Sequence, residues 1–245
     1  MDPSFTESPV RALLVSNDPL TVEQLSRSLK ELAASTEVCS DISSATRVLN
    51  KRRFETVVVD LRLGETAKEV LQKVRLSPSN HTTVAFAITE GTKESAQAFE
   101  AGSNFVLERP LSPTSVGRTL QAAYGLIVRE RRRYFRCPTS IPASVRDDTE
   151  QMDCHAVNIS ESGMAITTPV SLKPGTQVHV KFTIPDREIE INAQSEICWS
   201  DEKGRAGLRF LKPSDEQLSD LRDWLSRMLE NSLPESVALK FRPRI

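Results

Sequence analysis

Two hydrophobic rhythms divide the chain. Over residues 11–125, short apolar runs alternate with segments whose apolar residues recur at helical spacing, beginning with Ala12-Leu13-Leu14-Val15 and then Val22, Leu25, Leu29 and Leu32. Further strands are read at Glu37-Val38-Cys39, Thr56-Val57-Val58-Val59, 83–88 and Asn104-Phe105-Val106-Leu107, with helices around 45–49, 67–74 and 93–101. Strand and helix in alternation predict a parallel sheet, and five such repeats predict a flavodoxin-like α/β domain. The second half changes to period two: Val178, Val180, Phe182 and Ile184, then Ile189, Ile191, Ala193, Ile197 and Trp199, then Ala206, Leu208 and Phe210. That alternation predicts antiparallel strands with one buried face. Turn signals at Lys173-Pro174-Gly175, Pro185-Asp186 and Lys203-Gly204 separate the strands, which suits a small closed β-barrel with Trp199 among its packing residues, a place near a ligand being the alternative for that ring.

A last helix opens with the capping-box sequence Ser214-Asp215-Glu216-Gln217 and carries Leu218, Leu221, Trp224, Leu225, Met228 and Leu229 on one face, until Pro234 stops it. Between the halves, Val116, Leu120, Ala123 and Ile127 form a helical stripe that runs straight into Arg129-Glu130-Arg131-Arg132-Arg133. No Gly/Pro-rich linker intervenes, so the helix is expected to lead directly into the arginines and to couple the two domains mechanically. The expected divisions are a tail at 1–8, an α/β domain at 9–125, a barrel domain at 126–233 and a tail at 234–245.

Composition narrows the chemistry. With 38% hydrophobic and 27% charged residues the chain has the make-up of a globular protein, and its formal net charge of −1 argues against a nucleic-acid binder. The basic cluster is local and suits a small anion. No apolar run approaches the roughly 20 residues that cross a bilayer, and residues 1–9 lack the pattern of a signal peptide. Cytoplasmic location without membrane insertion is the expectation. Cys39, Cys137, Cys154 and Cys198 show no ligand spacing with His81, His155 or His179, so reduced thiols are expected and no metal site. Neither His155 beside Cys154 nor the scattered serines make a nucleophile–base arrangement, and no catalytic residue or enzymatic activity is expected.

The candidate chemistry lies in two short segments, Arg132-Arg133-Tyr134-Phe135-Arg136 and Asn158-Ile159-Ser160-Glu161-Ser162-Gly163. A guanidinium is planar, permanently charged and able to grip a phosphate, or the acceptor edge of a guanine, with two parallel hydrogen bonds. Asn158 and Ser160 alternate, so on an extended segment both would face one side, where they offer neutral donors and acceptors to a base. Gly163 allows a positive-φ turn or a close backbone approach. The plainer reading makes Arg131, Arg132 and Arg133 a solvated linker and Asn158 and Ser160 supports of a turn.

Read together as RxxxR and NxSxxG, in this order and about twenty residues apart, the two segments resemble the signature of PilZ domains, bacterial receptors for cyclic di-GMP. The resemblance implies a six-stranded antiparallel barrel with a C-terminal helix. It also implies a non-enzymatic receptor with cyclic di-GMP as ligand and no cofactor. Arg132 and Arg136 would hold phosphates and guanine edges, and Asn158, Ser160 and Gly163 a base, with Arg131 or Arg133 assisting. Ligand binding would then change domain arrangement or the binding of a protein partner, and a homodimer is one possible form. The alternative is a protein-interaction scaffold that binds no nucleotide.

The first half resembles response-regulator receiver domains through Val15-Ser16-Asn17-Asp18-Pro19, Val58-Val59-Asp60 and Glu108-Arg109-Pro110. By that resemblance Asp60 matches the phosphoacceptor. Ser16 and Asn17 stand where the acidic Mg²⁺-binding pair belongs, Arg109 replaces the lysine, and Ala87 and Thr89 bracket the place of the switch threonine. Magnesium is usually anchored by carboxylates, so phosphorylation at Asp60 is not favoured and a turn-capping role is the competing expectation.

Overall fold

The computed structural model describes residues 10–147, 150–185, 187–211 and 213–231. The expected tails at 1–8 and 234–245, the stop at Pro234 and the Asp186 half of one turn lie outside the described residues. The chain divides into two compact units between Arg131 and Arg132.

In the first unit five parallel strands alternate with helices. They are β1 (Val10–Val15), α1 (Pro19–Glu31), β2 (Ala34–Cys39), α2 (Ile42–Lys51), β3 (Thr56–Asp60), α3 (Ala67–Leu76), β4 (Val84–Thr89), α4 (Thr92–Glu100), β5 (Phe105–Glu108) and α5 (Pro113–Tyr134). The strand order β2-β1-β3-β4-β5 is that of the flavodoxin-like class. β3 and β4 are buried at every residue, which is why both read as unbroken apolar runs. Each buried Val, Ile or Phe there contributes roughly 1.5–3 kcal/mol.

The N-terminal edge of this sheet holds a largely buried ion cluster. Glu55, fully buried, accepts from the Arg11 backbone N–H at 2.7 Å and from Arg53 at 3.0 Å, and Arg131 stands 3.9 Å away. Arg53 also reaches the Glu130 carboxylate at 3.1 Å, and Thr82 Oγ1 donates to the same oxygen at 2.8 Å. Glu130 and Arg131 are residues of α5, so the acid and base of that turn are spent on the sheet rather than on solvent.

The second unit is a closed antiparallel barrel with neighbours in the order β10-β11-β8-β7-β6-β9. Its strands are β6 (Cys137–Arg146), β7 (Gln151–Ser160), β8 (Gly163–Thr167), β9 (Gln177–Ile184), β10 (Ile189–Asp201) and β11 (Arg205–Phe210). Strand β9 alternates strictly between exposed and buried, as its sequence predicts. Two expectations change here. Trp199 does not pack inside: β10 shifts register between Ile197 and Trp199, and the ring lies outside over Gly207, 44% exposed. Likewise β7 shifts register between Ala156 and Asn158, and the buried Ile159 and Ser160 follow one another, so simple alternation fails beside the motif.

The last helix, α6 (Asp215–Asn231), starts where the capping box predicts, the Gln217 N–H donating to Ser214 Oγ at 3.2 Å. It buries Leu221, Trp224, Leu225 and Leu229.

Breaking a buried ion pair by removing one partner costs about 3–5 kcal/mol. Glu130→Ala, which leaves Arg53 and Thr82 facing a hole, is therefore expected to destabilise the first unit by a few kcal/mol in denaturant unfolding of the full chain; a change below about 1 kcal/mol would contradict this account of the cluster.

Candidate functional site

The NxSxxG segment is a two-residue hairpin. Ser160 ends β7 and pairs with Gly163 at the start of β8, leaving Glu161 and Ser162 at the tip. Ser160 is 2% exposed, and its Oγ donates across the turn to the Gly163 carbonyl at 2.9 Å. Gly163 is needed for close approach rather than for a positive φ, because a Cβ on it would sit 2.0 Å from the Leu208 carbonyl oxygen of β11. Any side chain there would force β8 and β11 apart.

Two grooves meet at this hairpin, each of about 460 Å³, within the usual size range of small-molecule sites. One is lined by Arg133, Tyr134, Arg136, Ser160, Glu161, Ser162, Phe210, Pro213, Leu218 and Arg222. The other is lined by Arg136, Asn158, Ser162, Gly163, Met164, Ala165, Cys198, Trp199, Gly207, Leu208 and Arg209. Arg136 and Ser162 belong to both. Asn158 and Ser160 thus line different grooves, although past the register shift before Asn158 their ladder with β8 is unbroken.

The arginines are not equivalent. Among the described residues Arg136 is exposed and makes no hydrogen bond or ion pair, and Arg133 lies over the Tyr134 ring, 5.9 Å from its centroid. Arg132 lies 3.7 Å from Glu230 of α6 and lines neither groove. Arg131, beside Glu55 in the first unit, also lines neither. Opposite Arg136, the Asn158 side-chain oxygen is buried without a hydrogen-bond partner among the described residues. A buried acceptor left unpaired costs on the order of 1–3 kcal/mol, so a donor brought by a ligand gains more there than on an open surface.

Two contributors to this surface, Arg209 and Arg222, were not read from the sequence as ligand residues, and a third, Trp199, was read first as barrel packing with a place near a ligand as the alternative. Trp199 offers an indole face beside Arg136, with its ring over the bare backbone of Gly207. The signal available was Gly207 itself, which sits in the last alternating strand and leaves room for a ring. Arg209 is held by Glu196 at 2.7 Å, which raises its pKa further.

In the first unit Asp60 is fully buried. Its Oδ2 accepts from Ser16 Oγ at 2.8 Å and from Arg109 Nη2 at 2.8 Å, and its Oδ1 accepts from the Arg62 N–H at 3.2 Å, which caps the short 3₁₀ turn Leu61–Leu63. Asp18 serves as the N-cap of α1, its pKa lowered first by the Thr21 hydroxyl and then by backbone N–H groups. Thr89 Oγ1 is buried against Ser95 Oγ at 2.9 Å. These residues do not fit a magnesium site: Ser16 brings no charge, and the Arg109 guanidinium already takes the Asp60 carboxylate. The turn-capping role is the one the geometry displays.

The thiols provide a check on the barrel and the groove. Burial pushes Cys137 and Cys154 up to about 11 and also raises Cys39, whereas Cys198 is exposed in the Trp199 groove. The thiolate is the reactive form. At pH 8 a disulfide-exchange reagent is expected to modify Cys198 quickly and the other three only on unfolding; more than one fast thiol in the native protein would contradict the packing described.

Comparison with known proteins places the second unit. Residues 130–227 match the family model of the PilZ domain. No curated protein matches the chain. Among solved structures, the receiver domain of a sensor histidine kinase from Pseudomonas aeruginosa PAO1 is similar at 21% identity over 47% of this chain and 98% of that one, with a TM-score of 0.43. A chemotaxis protein of Vibrio cholerae is similar at 21% identity, 46% and 97% coverage and a TM-score of 0.42. A receiver domain protein of Methanospirillum hungatei JF-1 follows at 14%, 49% and 98%, and 0.44. With its closed six-stranded barrel, its C-terminal helix and both motif segments on one rim, the stretch 130–227 is a PilZ domain, preceded in the chain by a flavodoxin-like α/β domain.

Proposed function

We propose that this protein is a non-enzymatic receptor for cyclic di-GMP whose binding surface is the pair of grooves joined at Arg136. The observation that carries the reading is the state of that arginine: an exposed guanidinium with no acidic partner among the described residues, standing between Ser160 on one side and Asn158 and Gly163 on the other. A charge left unanswered in a concave polar site suits an anionic ligand. Its fork matches a phosphodiester or the O6/N7 edge of guanine. The unpaired Asn158 oxygen suits the N–H groups on the opposite guanine edge, and the Trp199 face suits stacking on a base. Arg133 adds a second cation, and Arg132 joins it when Glu230 gives way.

The proposal extends to output. α5 carries residues of both units, from Pro113 to Tyr134, and its last turn holds Arg132 and Arg133. A ligand that binds one arrangement of that turn more tightly than another shifts the population by its differential affinity and no more. Domain rearrangement, or capture of a protein partner, is the response so driven. The wild type is expected to bind cyclic di-GMP saturably in calorimetry, with affinity falling as salt rises and with GTP failing to compete. Loss of charge-assisted contacts at such a site costs about 2–5 kcal/mol, so Arg132→Ala/Arg136→Ala is expected to weaken binding roughly 30-fold or more. A folded double variant whose affinity stays within threefold of wild type, or a folded wild type that does not bind, contradicts the proposal and favours the nucleotide-free scaffold.

A further inference from the structure

The structure assigns a ligand contact to the C-terminal helix: Arg222 of α6 is a third cation of the ligand groove, held in waiting by Glu161 at the tip of the motif hairpin. This rests on the proposed receptor function and goes beyond it, because Arg222 lies outside both motif segments.

Arg222 lines the same groove as Arg133 and Arg136. Its Nε donates to Glu161 Oε2 at 3.1 Å, and this is its one hydrogen bond among the described residues. The two terminal NH₂ groups make no hydrogen bond among the described residues. The side chain is 54% exposed and that of Glu161 26% exposed, so neither is locked by burial. An ion pair this open is weak enough for a bound anion to rearrange.

Charge sets the logic. The groove is lined by three guanidinium groups and one carboxylate, Glu161, leaving two positive charges against the two phosphodiester charges of a cyclic dinucleotide. A carboxylate at the tip of an anion-binding hairpin repels the ligand unless something answers it, and Arg222 is that answer. In the free protein Arg222 quiets Glu161 through Nε. With ligand in place the unused end of the same fork reaches the anion, tying α6 to the hairpin through the ligand.

Two variants and their combination separate a contact from mere screening. Arg222→Ala loses the contact and uncovers Glu161, so its affinity for cyclic di-GMP in calorimetry is expected to fall about tenfold or more. Glu161→Gln removes the repulsion and frees Arg222, and is expected to tighten binding several-fold. In Arg222→Ala/Glu161→Gln the repulsion is absent. A residual loss relative to Glu161→Gln supports direct contact, whereas affinity equal to Glu161→Gln overturns it and leaves Arg222 a screening partner. Thermal melts of all three, expected within a few degrees of wild type, show that the barrel is folded, and Arg222→Lys is a second variant if Arg222→Ala fails to fold, its charge without the fork giving intermediate affinity if contact is made. If wild type binds and Arg136→Ala weakens it while the Arg222 and Glu161 variants are neutral, this inference falls and the receptor reading stands. If wild type does not bind, the receptor reading falls and takes the inference with it.

Discussion

What the site depends on is the unequal answering of positive charge along one short stretch of chain. Arg131 faces the buried Glu55, Arg132 lies by Glu230, Arg133 leans on the Tyr134 ring, and Arg136 has no acidic partner among the described residues. Helical geometry produces this, since successive residues turn by about 100° and cannot share one environment. After Tyr134 the helix ends, and Arg136 leaves from an extended segment that enters β6 at Cys137. A chain with nearly equal numbers of acids and bases, 33 and 32, has enough carboxylates to cover every arginine. That Arg136 is left open beside a groove is therefore a property of the fold, and the proposal of an anionic ligand rests on it.

The barrel supplies the neutral half of the site by breaking its own regularity. A strict ladder through Asn158 and Ser160 would direct both side chains to one face. Past the register shift before Asn158 the ladder with β8 runs unbroken to Ser160, yet Ser160 is buried with its hydroxyl fastening the hairpin while Asn158 lines the Trp199 groove. A second shift in β10 brings Trp199 outside, where Gly207 leaves space for its ring. The contact of Gly163 with the Leu208 carbonyl fixes how closely β8 and β11 approach, and so the floor under Arg136. Irregularity at a binding rim is a common use of β-bulges.

These features explain which parts were legible in the sequence. The parallel sheet declared itself because β3 and β4 are buried on both faces, and the strands β9–β11 because they alternate. β6 and β7 carry Pro138, Pro142, Asp153 and His155 and gave no clean period, so the count of six strands came from the family resemblance rather than from pattern. The motif segments were legible, but which groove each side chain lines was not, because that depends on the elements packed around the hairpin. Of the two readings of Trp199, the packed interior fails because the register shift before it puts the ring outside. Arg222 was invisible because a helix surface arginine has no pattern until the hairpin it faces is known. In the first domain the departures at Ser16 and Arg109 were readable, and the structure shows their consequence, an Asp60 committed to a hydroxyl, a guanidinium and a turn.

A crystal structure of the full chain with cyclic di-GMP tests the central claim most directly. The account predicts a phosphodiester or a guanine edge within hydrogen-bond distance of the Arg136 guanidinium, with a base between Asn158 and Trp199. Ligand bound elsewhere with Arg136 still open to solvent would contradict it.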